Sequence, residues 1–393
     1  MQLRNKVRTT TAARRRRVSI GMIAAVATLG AACAPGPSGD ALNDETTTVP
    51  RNPAAVVRPG PATPGAPAPS TTLQPPAVTS PAITVPSGPV SFKAAATTSN
   101  IGGCDLFPAD HYLNATNIDR LPVHPSSDQW LSGHRSRGTK LSTPSSTVWE
   151  GSSTGIPINV VDSRTTSFKN VAYTMSVSPH EYRGRMPIPS SPRLEGYPGA
   201  AWDRHLLILD VADCTAYELI QYDPTLGSLG VHTANSGAKY KLDSTARLKF
   251  TTNSPNTPMI GQAFRVDEVN AGAVRHVTAF CSNTIASSHV WPASSSDGRQ
   301  PPGGELPMGA WARLKSSVDL NRFSGQARAM VDALRTHGAV LTDTCSQGMH
   351  LTGENSSGWK STDLAQLKQL TANDFEIVDT TSLKVSDDSF AIR

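Results

Sequence analysis

The stretch DRHLLILD at residues 203–210, followed after three residues by CTAYEL at residues 214–219, decides the fold of this chain. Successive side chains of a strand point to opposite faces, so His205 shares an apolar face with Leu207, and Glu218 lies on a similar face of the second run. The short link between the runs predicts a β-hairpin that brings His205 and Glu218 near one another. A buried carboxylate with a raised pKa suits acid–base chemistry, and the alternative is that Glu218 pairs with an arginine in a structural contact.

Short apolar or alternating runs recur through the rest of the chain between clusters of turn-forming residues. They occupy residues 158–161, 171–177, 205–211, 216–220, 274–280, 289–291, 311–314 and 339–341. Helical spacing of apolar residues occurs at residues 324–337 and 362–370. The pattern predicts a mainly β fold, a single β-sandwich or jelly-roll-like domain with about two peripheral helices.

The N-terminal quarter of the chain has the composition of an export signal and a tether. Residues 1–32 combine a cationic stretch with an apolar run that is too short to span a membrane, which predicts a signal peptide. Residues 33–100 are rich in Pro, Ala and Thr and predict a disordered tether, and residues 101–393 predict the β-rich globular domain. Small residues before Cys33 suggest lipidation of that cysteine, and ordinary cleavage after Ala32 is the alternative. The protein is therefore expected to be exported, as a cell-envelope lipoprotein or a secreted protein, and to meet a membrane only through a lipid at Cys33.

The basic pI of the chain comes from the leader. Seven Lys and Arg residues and no acidic residue lie in residues 1–32, so removal of this segment takes the net charge from +5 to −2. A nearly neutral mature protein gives no support to binding of nucleic acid.

Four cysteines remain when Cys33 is set aside. They are Cys104, Cys214, Cys281 and Cys345. In an oxidising compartment this number predicts two disulfides with three pairings open, in preference to a catalytic thiol.

The candidate site consists of polar residues from the hairpin and from the chain near residues 265–280, together with one tryptophan. They are Asp203, Arg204, His205, Glu218, Asp267, Glu268, His276 and Trp291. If residues 274–280 form a strand, His276 faces the same way as Thr278 and could join the hairpin residues in one cleft. A histidine in a strand is also common as a hydrogen-bonded core residue, so the scattered spacing is a weak signal.

Each candidate has an expected role. His205, Glu218, His276, Asp267 and Glu268 are assigned to catalysis, with a histidine as base and Glu218 as acid or orienting partner.

The other three candidates are assigned to substrate binding. Arg204 suits the carboxylate of a uronic acid, Asp203 lies beside it, and Trp291 suits the apolar face of a sugar. Two histidines and a carboxylate could also bind a metal, so the metal requirement and any cofactor stay open.

A series of short segments runs through the globular region in a fixed order. They are CDLFP (104–108), LPVHP (121–125), DRH (203–205), YEL (217–219), RVDEV (265–269), His276, VWPA (290–293), LPMG (306–309), RLK (313–315), QARA (326–329) and DFEIVD (374–379). Their order resembles a functionally uncharacterised family of secreted bacterial β-rich proteins. The resemblance covers residues from about 102 to 379, and it implies a single domain with a secreted, polymer-facing role. The chain departs from that family after Ala293, where serines replace a basic residue and a histidine.

Three functions fit these observations. The first is a carbohydrate-active enzyme, a glycoside hydrolase or polysaccharide lyase acting on an extracellular polysaccharide. The second is a non-catalytic envelope module that binds glycan or cell-wall polymer. The third is a purely structural role for the buried charged residues. The first predicts that the candidate residues converge in an open groove, and a closed core would contradict it.

Overall fold

The computed structural model describes residues 98–144, 148–149, 152–175, 178–200 and 203–393. The predicted signal peptide, Cys33 and the predicted tether up to residue 97 lie outside the described residues. All described residues belong to one compact unit.

The described part of the chain is built mainly from short strands. In chain order they are β1 (Asn100–Ile101), β2 (Cys104–Asp105), β3 (Leu141–Ser142), β4 (Val148–Trp149), β5 (Ser152–Ser153), β6 (Ile158–Val161), β7 (Val171–Tyr173), β8 (Leu206–Asp210), β9 (Thr215–Ile220), β10 (His232–Ala234), β11 (Ser236–Lys241), β12 (Thr278–Ser282), β13 (Ala286–His289), β14 (Pro307–Met308), β15 (Trp311–Leu314), β16 (Ala339–Thr344), β17 (Met349–Leu351) and β18 (Phe375–Ile377). The α-helices are α1 (Ser127–Ser136), α2 (Pro224–Ser228), α3 (Val266–Asn270), α4 (Gly325–Thr336) and α5 (Ser361–Ala365).

The predicted hairpin is present and forms the centre of a four-stranded sheet. Its strand order is β11-β9-β8-β6, with β8 and β9 antiparallel and Leu207 directly opposite Glu218. Both faces of β8 are buried, because Ile208 packs in one hydrophobic cluster and Leu209 in another. His205 precedes β8 on the face of Leu207 and Leu209.

A second, six-stranded sheet has the order β18-β15-β16-β12-β17-β3. It mixes parallel and antiparallel pairs: β12 runs parallel to β16 and antiparallel to β17. Helix α4 contacts β15 and buries Met330 and Leu334 in a core that also contains Phe280. A further cluster joins the two sheets, with Leu209 from the first and Val340 from the second.

The prediction of a mainly β chain is confirmed in its strand content, whereas a single jelly-roll sandwich is not. Parallel pairs such as β6–β8 and β17–β3 lie within the larger sheets, and such pairs are foreign to an antiparallel jelly roll. The number of peripheral helices was underestimated, since five α-helices occur in the described residues. The three additional helices, α1, α2 and α3, span five to ten residues, which is too short for a clear periodic pattern.

Both of the longer predicted helices are present. Residues 324–337 form α4, which begins after Ser324 and ends before Gly338 at a φ of +71°. Residues 362–370 form α5 and a 3₁₀ turn at Gln366–Gln369. A left-handed glycine after the last turn is a common helix terminator.

Two disulfides form, as the cysteine count predicts. Cys104 pairs with Cys214, which joins β2 to the turn between β8 and β9. Cys281 pairs with Cys345, which joins β12 to the residue after β16.

The folded region begins before residue 101. Ser99 is buried and donates a hydrogen bond to Glu268, and Asn100 belongs to β1, although the sequence places both in the tether.

Candidate functional site

A solvent-open cleft lies where the residues before β8 approach the ends of β16 and β17. It consists of two adjoining chambers with volumes of about 240 and 370 Å³. Both chambers are lined by Ile156, Asp203, Asp343 and Thr352. The smaller is called the first chamber and the larger the second chamber below.

His205 lines the first chamber and is held on both sides of its ring. Nδ1 lies 2.5 Å from Oε2 of Glu195, and Nε2 lies 3.2 Å from the carbonyl oxygen of Thr252. A carboxylate and a carbonyl can only accept, so the ring donates from both nitrogens and is an imidazolium. Burial alone would lower the pKa of His205, but Glu195 and Asp203 outweigh it and raise the pKa to about 9. His205 is therefore a fixed cation, and its assignment as a base is wrong at neutral pH.

Asp203 enters the cleft from a strained segment of backbone. It has a φ of +58° and Arg204 has a φ of +41°, a region that non-glycine residues seldom adopt. The carbonyl of Asp203 accepts from the backbone N–H of Gln221 at 2.7 Å, which anchors the segment to the end of β9. Strain of this kind persists only where the surroundings impose it, and it is typical of functional sites.

Arg204 does not reach the cleft. Its Nε and Nη2 donate to the carbonyl oxygen of Ala200 at 3.1 and 2.9 Å, and its guanidinium lies 5.9 Å from the ring centre of Tyr197. Arg204 is therefore not placed to bind a substrate carboxylate, because its guanidinium is hydrogen-bonded to the loop that precedes it.

Asp343, at the end of β16, faces Asp203 across the cleft and lines both chambers. The residue is in contact with solvent, although the surrounding protein removes part of the hydration of its carboxyl. This loss of hydration, together with the charges of Asp203 and Glu195, raises the pKa of Asp343 to about 8. Burial, Glu195 and Asp297 also raise the pKa of Asp203, whereas the His205 imidazolium lowers it. The cleft thus holds one carboxyl that favours the protonated form and a second one beside a cation.

Glu218 lies behind the cleft and does not open into it. Its side chain is fully buried, and its Oε1 accepts from the backbone N–H groups of Met259 and Ile260 at 2.8 and 3.0 Å. Oε2 accepts from the hydroxyl of Thr252 at 3.2 Å. Burial raises the pKa of Glu218 to about 7. The prediction that the hairpin places Glu218 near His205 is confirmed through their shared contact with Thr252, but Glu218 anchors a loop and does not meet substrate.

His276, Glu268 and Asp267 form a separate group. His276 precedes β12 and Nε2 lies 2.9 Å from Oε2 of Glu268, which also binds Arg265 and Ser99. Asp267 is exposed and lies 3.6 Å from Arg265. None of the three predicted residues lines either chamber, so the convergence of all candidates in one groove is wrong. Glu268, Arg265 and His276 thus form a largely buried ion-pair cluster, with Asp267 exposed at its edge.

Trp291 also lies away from the cleft. It is buried, its indole N–H donates to the carbonyl of Ser389 at 3.0 Å, and its ring centre lies 5.9 Å from that of Tyr112. It borders a different cavity of about 430 Å³ that also contains Trp130. Trp291 therefore does not line the cleft that contains His205, and its assignment to substrate binding stays a prediction.

Sequence reasoning missed Glu195, Asp297 and Asp343. Glu195 lies in a loop before the hairpin, and Asp297 accepts a hydrogen bond from Thr344 at 2.9 Å. The only available signal was Asp343 at the end of the predicted strand near residues 339–341, two residues before a paired cysteine.

Among the described residues, no group of three or more His, Cys, Asp or Glu side chains is placed to hold a metal ion. No helix in that part of the chain is long and apolar enough to cross a membrane. Compared with known proteins, the sequence matches no family model, no curated protein and no solved structure. The resemblance to secreted β-rich proteins therefore stays a prediction.

The pairing of His205 with Glu195 predicts a pH-dependent stability. A histidine whose pKa rises from 6.5 to about 9 on folding stabilises the protein fully below pH 6.5, and this contribution is lost as the pH rises through 9. We expect the free energy of unfolding to fall by roughly 3 kcal/mol between pH 6.5 and 9, measured by urea titration. His205→Gln should remove the part that belongs to His205 and leave the smaller part that the raised pKa values of Asp343 and Glu218 contribute, whereas His180→Gln, at an exposed histidine, should leave the whole dependence unchanged. An unchanged pH dependence in His205→Gln would contradict the imidazolium assignment.

Proposed function

We propose that this protein is an exported hydrolase that cleaves glycosidic bonds in an uncharged extracellular polysaccharide. The observation that carries the proposal is the pair Asp203 and Asp343 in one open cleft, with the His205 imidazolium lining the same chamber. Most glycoside hydrolases use two carboxyl groups, one as the acid and the other as the base or nucleophile.

The residues divide the work as follows. Asp343, protonated at neutral pH, donates its proton to the glycosidic oxygen as the C–O bond breaks. Asp203, ionised, accepts a proton from the attacking water or attacks the sugar carbon itself. The reaction consumes one water, and Asp343 regains its proton from that water or from solvent. The positive charge of His205 opposes the effect of burial on the pKa of Asp203, and Glu195 keeps His205 charged and oriented.

The charge of the cleft favours hydrolysis of a neutral polymer over elimination from an acidic one. A lyase must neutralise the carboxylate of its substrate, but Arg204 is bound to Ala200 and both ring nitrogens of His205 are occupied. A uronate would instead face Asp203 and Asp297. Repulsion between like charges in a partly desolvated cleft costs binding free energy.

One observation favours a glycan-binding module as the second candidate function. The cavity of about 430 Å³ is lined by His124 and Trp130, whose rings stack with centres 4.2 Å apart, together with Asp379 and Lys384. An aromatic surface flanked by polar groups suits a sugar without any catalysis.

The purified protein should release reducing ends at neutral pH from at least one of β-glucan, xylan, mannan or chitin. The double variant Asp203→Asn, Asp343→Asn should lose this release while still folding, as circular dichroism would check. Asp243→Asn, at an exposed aspartate that lines neither chamber, should retain it. An unsaturated product from polygalacturonate would support a lyase instead. Retention on a polysaccharide without release of product would support the binding module.

A further inference from the structure

His350 is an almost buried histidine at the wall of the second chamber. It lies in β17 with 9% of its surface exposed. Its Nδ1 is sealed from solvent without a hydrogen-bond partner. Nε2 has no partner among the described residues and is not sealed, so it is the nitrogen that faces the chamber.

The ring carries its single proton on Nε2. Burial lowers the pKa of His350 to about 4, so the imidazole is neutral at physiological pH. A neutral ring has one N–H and one lone pair, and a proton on Nδ1 would be buried with no acceptor. On Nε2 the same proton can bind water or a ligand in the chamber. His350 therefore presents one uncharged donor.

The sheet fixes the position of this donor relative to Asp343. Cys281 in β12 is directly paired with Asp343 in β16 and with His350 in β17. Directly paired residues on neighbouring strands project to the same face. Two strand spacings of about 4.8 Å place the backbones of Asp343 and His350 ~10 Å apart, with the Cys281–Cys345 disulfide between them. His350 thus lies on the same face of the sheet as Asp343, two strands away in the same chamber.

The chamber that His350 borders combines polar groups with an apolar part. Pro144, Ile156 and the Cys281–Cys345 disulfide line the same chamber. A single N–H donor beside apolar surface matches a group that has one carbonyl oxygen and one methyl. An acetamido group has both, whereas a plain hydroxyl has no methyl and a carboxylate prefers a charged partner.

We propose that the second chamber is a subsite for the acetamido group of an N-acetylated sugar, with His350 Nε2–H donating to its carbonyl oxygen. This inference deepens the proposed function, because it gives the substrate class of the same cleft. It names His350 as a specificity-determining residue that takes no part in proton transfer.

The test measures binding in a variant whose turnover is strongly reduced. Asp343→Asn would be titrated by calorimetry with tetramers of N-acetylglucosamine and, separately, with tetramers of glucose. Adding His350→Phe should weaken binding of the acetylated tetramer about fivefold to tenfold, the effect of one neutral hydrogen bond, and leave the glucose tetramer unchanged. Adding His350→Gln, which restores an N–H donor, should recover part of the affinity. Nitrogen NMR of the imidazole should show the Nε2–H form and a shift when the acetylated tetramer binds.

The outcomes separate this inference from the proposed function. Equal weakening for both tetramers, no effect of His350→Phe, or no binding of the acetylated tetramer at millimolar concentration would overturn the subsite. If the acetylated tetramer binds as expected but the wild-type protein cleaves no polysaccharide, the hydrolase proposal fails and the subsite stands. Thermal unfolding of each variant checks that a loss of affinity is not a loss of fold.

Discussion

Asp343→Asn is expected to lower kcat/KM for the cleaved polysaccharide by about 100- to 10,000-fold, the contribution typical of a general acid. Asparagine keeps the size of the side chain, so the cleft should keep its shape while the proton donor is lost. The rate would be followed by release of reducing ends. The wild-type rate should fall as the pH rises through the pKa of Asp343, which is about 8. Because Asp343 is also in contact with water, which favours the ionised carboxylate, the fall should begin near or below pH 8.

The shape of the pH profile separates a catalytic role from a structural one. In Asp343→Asn the alkaline limb should disappear from whatever activity remains. Substrates with activated leaving groups need little acid assistance, so their cleavage should be lowered far less by this variant. A uniform loss on all substrates with an unchanged pH profile would contradict the assignment of Asp343 as acid.

Removal of the Cys104–Cys214 disulfide is expected to destabilise the fold by about 4–5 kcal/mol. The bond closes a loop with a sequence separation of 110, and in the chain-entropy model long loops gain most from such closure. The variant is Cys104→Ser with Cys214→Ser, compared with wild type by guanidinium unfolding at one pH. Below its unfolding temperature the variant should keep its KM, because this bond lies at the turn between β8 and β9, the opposite end of β8 from His205.

The second disulfide provides the matched comparison. Cys281→Ser with Cys345→Ser should destabilise by a similar amount, since a separation of 64 changes the loop term by less than about 1 kcal/mol. This bond lines the second chamber, so its removal should also raise KM. Equal KM values for both double variants would contradict a role of the second chamber in substrate binding.

The hairpin could be predicted because its information is local. The alternation of residues 205–210 and the short turn at Cys214 determine which face His205 occupies, and the structure places Leu207 opposite Glu218 accordingly. Pairings such as β12 with β16 join residues about 60 positions apart, and no local period encodes them. For that reason strand content was predictable, whereas the arrangement of the sheets was not.

The candidate site was predictable only on the side that the hairpin contributes. Asp203 and His205 line the cleft. They lie just before a buried strand, where a polar side chain requires a hydrogen-bond partner or access to solvent, and this made them candidates from the sequence. Asp343 and Glu195 come from other parts of the chain, and their relevance depends on contacts across the two sheets. Glu218 and His276 were candidates because the sequence places them on apolar strand faces. Burial alone cannot distinguish a catalytic group from a side chain whose hydrogen bonds only hold the fold together, as those of Glu218 and His276 do.

The cleft draws its polar groups from positions 154 to 352 and depends on parallel and long-range strand pairs. Contacts between residues far apart in sequence form slowly, because a long loop must close before the contact stabilises anything. High contact order thus makes the cleft a late product of folding, absent from any early intermediate that contains only the hairpin. During refolding, the recovery of ligand binding should consequently lag behind the recovery of β-strand content seen by circular dichroism. Ligand binding would then indicate that the native strand pairing is complete.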